Sequence, residues 1–104
     1  MLHQNEILST IKATVTKEVP DSTVYLFGSR AANTSHEESD WDILILTKAK
    51  YPKSLKWSIH DKLFPLSLSI GSVFSFVLAT YDEWENHPAY YSLQKGIGDQ
   101  YLLL

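Results

Sequence analysis

The chain has 104 residues, 44% of them apolar, with a formal net charge of −3 and no cysteine. That length supports one hydrophobic core, so residues 1–104 are expected to form a single domain. The acidic balance, with a pI of about 5.7, argues against a nucleic-acid partner held by bulk charge, and the lack of thiols excludes disulfides and a thiolate zinc centre, as suits a reducing cytoplasm.

The opening MLHQNEILSTIK has neither a basic start nor the apolar block of a signal peptide. No run approaches the roughly 20 apolar residues of a membrane helix, so a cytoplasmic location with no membrane partner is expected. Between Gln4 and Val19 the apolar residues Ile7, Leu8, Ile11 and Val15 fall at helical spacing, with Gln4 or Asn5 available as a cap. Pro20, Asp21 and Ser22 end that helix and turn the chain. The apolar run Val24 to Phe27 then reads as a buried strand, closed by Gly28.

From Ser29 a short helix is expected, followed by a solvated loop through Asn33, Thr34, Ser35, His36, Glu37 and Glu38. Trp41 to Leu46 reads as a second strand, apolar on both faces beyond Asp42, as in the middle of a covered sheet. Tyr51-Pro52 opens a helical region with Leu55, Ile59 and Leu63 on one face, interrupted by Pro65. After it, Leu66-Ser67-Leu68-Ser69-Ile70 alternates like a strand but also fits a kinked helix running to a Gly71 cap. Val73 to Ala79 is a third strand, Tyr81 to Glu85 an acidic helical turn, and His87-Pro88 opens a short helix ending near Gly96. The apolar tail, Tyr101 to Leu104, needs cover from its own domain or from a partner, including a second copy in a homo-oligomer.

Two features carry chemistry. Residues of a strand alternate sides, so Asp40 and Asp42 project together while Trp41 points away, and paired carboxylates attract a divalent cation. Opposite them, Gly28 permits a tight turn, and the groups from Ser29 onward can meet an anionic oxygen. A phosphate cradle facing a metal site is the layout of an enzyme that uses a nucleoside triphosphate. His3, His36, His60 and His87 lack ligand spacing, and Trp41, Trp57 and Trp84 read as core or interface aromatics. Lys48, Lys50, Lys53 and Lys56 form a basic run that reads as a solvated face or a contact for an acidic partner.

Phe27-Gly28-Ser29, a spacer from Arg30 to Ser39, and Asp40-Trp41-Asp42-Ile43 together resemble the nucleotidyltransferase superfamily related to DNA polymerase beta, in particular its minimal prokaryotic members. The resemblance implies an α+β fold, a small central mixed β-sheet flanked by helices, and it favours helix for Leu66 to Ile70. It also implies Mg2+ held by Asp40 and Asp42, ATP or another nucleoside triphosphate with its phosphates on Gly28, Ser29 and Arg30, and transfer of AMP to a hydroxyl of a protein or small molecule. Active relatives carry a third carboxylate on the following long strand. The matching place here is close to Ser75, and Asp61, Asp82 or Glu83 could replace it only if the fold brings one near. The alternative is therefore a non-catalytic binding module, similar to the antitoxin partners of small helical HEPN-type proteins. An aminoglycoside adenylyltransferase is the weaker match, because those enzymes usually add a helical domain.

Overall fold

The computed structural model describes residues 3–31, 40–98 and 101–104, with Ser29 through its backbone alone. The expected loop from Asn33 to Glu38 lies outside the described residues. Helix α1 (Gln4–Glu18) leads through a turn to strand β1 (Thr23–Phe27), the short helix α2 (Gly28–Ala31) and strand β2 (Trp41–Thr47). Helix α3 (Lys53–Ile70), strand β3 (Phe74–Thr80), helix α4 (Tyr81–Asn86), a 3-10 turn (Pro88–Tyr90), helix α5 (Tyr91–Ile97) and strand β4 (Tyr101–Leu103) follow.

The four strands make one mixed sheet in the order β3-β2-β1-β4. β1 runs antiparallel to β2 and to β4, whereas β2 and β3 are parallel, joined by α3 as such a crossover requires. This is the α+β arrangement, a small mixed sheet with flanking helices, that the resemblance implies. Alternation along the strands divides the core in two. Val24, Leu26, Trp41, Ile43, Ile45, Phe74 and Phe76 pack against Ile7, Ile11 and Val15 of α1 and Ile59 and Leu63 of α3. Phe27, Leu44, Leu46 and Ala79 form a smaller cluster on the other face with Ile97, edged by Trp84 and Tyr90.

Helix α1 starts one position earlier than its polar residues suggest, with His3 at the cap position and no side-chain cap bond. α3 runs without interruption through Pro65 to Gly71, which caps it in the left-handed conformation at φ 68°. The strand alternative for Leu66 to Ile70 is thereby excluded: Leu66 and Ile70, four apart, both pack toward the main core, while Leu68 is 68% exposed. An ion pair between Glu18 and Lys62 ties the end of α1 to α3. Thr80 opens α4 with a reciprocal cap: its hydroxyl accepts from the Glu83 amide at 3.0 Å, and its own amide donates to Glu83 Oε1 at 3.1 Å.

The tail is a strand that the sequence reading did not assign. β4 pairs with β1 from Tyr25↔Leu103 to Phe27↔Tyr101, and the Leu104 amide donates to the Val24 carbonyl at 2.9 Å. Of the two places expected for Trp57, core or interface, its 64% exposure on α3 excludes the core. Among the described residues, no helix is long and apolar enough to cross a membrane.

Candidate functional site

The chain leaves β1 at Gly28 with φ 75°, a conformation open to glycine and strained for other residues. Packing makes the glycine doubly necessary. A Cβ at residue 28 would collide with the Asp42 Oδ2 and lie 3.2 Å from the Asp42 Cγ. The carboxylate of Asp42 therefore sits directly on the β1-to-α2 turn. Sheet register places it there, since Phe27 and Asp42 are partners across the antiparallel pair.

Asp42 shares its sheet face with Phe27, Leu44 and Leu46, whereas Trp41 is buried in the core on the other face. Asp42 and Trp41 thus lie on opposite faces of β2. Asp40, just before the strand, is exposed. Burial pushes the Asp42 carboxyl above the ordinary aspartate range, and the negative charge of Asp40 pushes it the same way. Asp42 is thus under the charge of Asp40.

Arg30 follows Trp41 and not Asp42. Its guanidinium lies 4.0 Å from the centroid of the Trp41 ring, and Nη2 is 3.4 Å from the Ser72 Oγ. Burial there lowers the Arg30 pKa, and Asp40 opposes that shift. The cation is consequently within the influence of Asp40 but stacked on Trp41, away from Asp42.

β3 supplies the third position. Asp42 and Ser75 are partners in the parallel pair and their side chains share a face, Ser75 being exposed. Asp61 is on α3 beside His60, while Asp82 bonds Asn86 and Glu83 caps α4 and pairs with Lys50. Among the described residues no cluster of three or more His, Asp or Glu side chains forms.

Two carboxylates fit magnesium in one particular way. Magnesium keeps several waters and is commonly held by one or two carboxylates together with substrate phosphates, so an all-protein cage is not needed. The charge of Asp40 bearing on Asp42, and the close seat of Asp42 against the Gly28 turn, suit a hard cation arriving with an anionic ligand.

A group that sequence reasoning missed lies further along the same face. Tyr25, Phe27, Leu44, Trp84 and Tyr101 line a cleft of about 390 Å3. Tyr25 and Tyr101 meet edge to face at 5.4 Å, the Tyr81 hydroxyl bonds Thr23, and burial with both neighbouring phenols raises the Tyr25 pKa. Alternation of Tyr25 with Val24 and Leu26 was the available signal, but the cleft also needs β4.

The family described as polymerase beta, nucleotidyltransferase, matches residues 9–85. No curated protein sequence gives a significant match. Among solved structures, a mutant of the MntA–HpeT toxin–antitoxin is similar at TM-score 0.64 and 23% identity, over 100% of this chain and 72% of that one. A Shewanella oneidensis complex of tri-AMPylated HEPN toxin with MNT antitoxin is similar at TM-score 0.65 and 20% identity, over 97% of this chain and 71% of that one. A toxin–antitoxin with AMP-PNP gives TM-score 0.65 and 22% identity, over 98% and 72%. At these identities the likeness is one of fold.

Proposed function

Because the chain belongs to the polymerase beta nucleotidyltransferase family, we propose that it binds a magnesium nucleotide at Asp40 and Asp42 and transfers AMP from ATP to a hydroxyl of a protein or small-molecule acceptor. The observation that carries this reading is the Asp42 carboxylate seated on the Gly28 turn. Asp40 and Asp42 hold the cation, and the backbone at Gly28 and Ser29 receives the terminal phosphates. Magnesium, when bound, offsets the charge on the phosphate oxygens as a Lewis acid. Arg30 is stacked on Trp41 and bonded to Ser72, so its part is to fix the entry of β2 and to counter Asp40; direct phosphate contact would require it to leave that stack. The nucleoside lies in the aromatic cleft next to Phe27 and Leu44, whose volume falls in the roughly 300–1,000 Å3 range of small-molecule sites.

The acceptor oxygen attacks the α phosphorus, the bond from that phosphorus to the bridging oxygen breaks, and pyrophosphate departs. Ser75 offers no base, so the acceptor proton passes to solvent. A HEPN-type protein is the proposed acceptor or partner, supported by the tri-AMPylated HEPN toxin found with an MNT antitoxin in a structure of similar fold.

The second reading, a binding module without turnover, is favoured by Ser75 at the register of Asp42. ATP labelled at the α phosphate, offered with magnesium and a HEPN-type acceptor, decides between them. Label on the acceptor that is lost in Asp40→Asn with Asp42→Asn supports the enzyme. Magnesium-dependent nucleotide binding without label supports the module, and no such binding by the parent chain would sink both.

A further inference from the structure

β3 ends the sheet, and beside it runs a second cleft that the nucleotide reading does not use. Its volume is about 550 Å3, and its floor is the strand itself from Phe76 to Thr80. One wall is the start of α3 with Lys50, Lys53, Lys56 and Trp57; the other is Glu83 and Tyr90. A further hollow of about 260 Å3 shares Lys56, Trp57 and Phe76 and continues past His60 to Ser75. The groove therefore follows β3 toward its amino-terminal end and finishes at the residue that neighbours Asp42.

From this we infer that the groove binds an extended acidic polypeptide segment, which adds to β3 as a fifth strand and brings its hydroxyl residue to Asp42. The segment would be the acceptor, so the inference rests on the transferase reading and names its substrate class. Three observations argue for it. An edge strand presents backbone N–H and C=O groups that only another strand satisfies regularly. Side chains of an added strand alternate, so one set faces the lysines and Trp57 while the other faces Val77 and Tyr90. Charge selects the occupant: three lysines stand against one glutamate, and that glutamate is already engaged with Lys50 at 3.8 Å and with the cap of α4. Lys53 and Lys56 form no ion pair among the described residues. In a chain of net charge −3 this is a local reversal of sign, suited to carboxylates at every second position of the partner. Trp57, 64% exposed, offers an apolar anchor at the centre of the wall.

The test uses the full chain without nucleotide and a fluorescent octapeptide in which glutamate alternates with valine and one central tyrosine. Anisotropy should show binding, at least tenfold weaker with Lys53→Glu plus Lys56→Glu and at least threefold weaker with the milder Lys53→Ala plus Lys56→Ala. The same peptide with lysine for glutamate should not bind, and bound peptide should slow deuterium uptake by the amides of residues 74–80. Because binding is read without nucleotide, its loss is distinct from a failure of transfer, which separates this inference from the transferase reading. Peptide affinity indifferent to the lysine variants, no protection of residues 74–80, or lysine-dependent binding of a thymidine octanucleotide in place of the peptide would overturn it.

Discussion

Gly28 and Asp42 are a pair in which each residue is explicable only through the other. The positive φ of Gly28 alone would tolerate asparagine at modest cost, but the Asp42 carboxylate occupies the space where any Cβ would go. Gly28→Ala is expected to lower stability by about 1–3 kcal/mol, the range for strained backbone, and to displace the carboxylate. Denaturant titration reads the first effect, and loss of magnesium-dependent nucleotide binding the second. Asp42 itself carries a cost in the unliganded protein. Its folded pKa is raised above the ordinary 3.8 by burial first and by Asp40 second, so the folded chain holds the proton to a higher pH than the unfolded chain. Stability then falls as pH rises through that window, and the loss is complete above it. Asp42→Asn should therefore melt a few degrees higher than the parent at neutral pH, with the gap closing as the pH falls below the unfolded value, and magnesium nucleotide should raise the parent and not the variant. Equal melting temperatures at pH 7 would show that the carboxylate is not under this repulsion.

α3 shows how an element can be ambiguous in its letters and definite in its packing. Leu66, Leu68 and Ile70 satisfy a two-residue period, but the space beneath α3 is filled by Leu63, Leu66 and Ile70, and Leu68 is left at the surface. Packing against α1 and the sheet decided the period, and Gly71 closed the helix as its position suggested. Pro65 is exposed and supports no helical hydrogen bond of its own, so Pro65→Ala should stabilise α3 by about 1–3 kcal/mol, visible as a higher denaturant midpoint. An unchanged or lower midpoint would mean that the proline gains more by restricting the unfolded chain. The three longer strands and the aspartate pair were legible because their signals are local: short apolar runs, a glycine, and two acids one residue apart. β4 was not, since Tyr101 to Leu103 are all exposed and have no alternation to reveal a partner strand near the start of the chain, as in Phe27↔Tyr101 with Tyr25↔Leu103. The stack of Arg30 on Trp41 and the exposure of Trp57 were hidden for the same reason, because both depend on which face of a neighbouring element the chain returns to.

The sheet ends in the seven-residue β3 on one side and the three-residue β4 on the other, and this asymmetry organises the protein. β4 covers the outer edge of β1, so the strand that leads into Gly28 is held from both sides, while the outer edge of β3 is unpaired among the described residues. Removing residues 101–104 would take away the Leu104 bond to Val24, the packing of Leu104 on the main core and the contact between Tyr101 and Tyr25. A loss on the order of 3 kcal/mol is expected, combining a partly buried leucine with the backbone bonds of a short strand. The freed edge of β1 should also promote concentration-dependent association, because an uncovered strand is a template for another. Leu103→Lys in the full chain, at a position 67% exposed, should leave both the fold and the association state unchanged. Light scattering with thermal melts across a tenfold concentration range reads both effects. A truncated chain that stays monomeric and melts like the parent would show that β1 does not need its outer neighbour, and would leave Gly28 and Asp42 anchored by β2 alone.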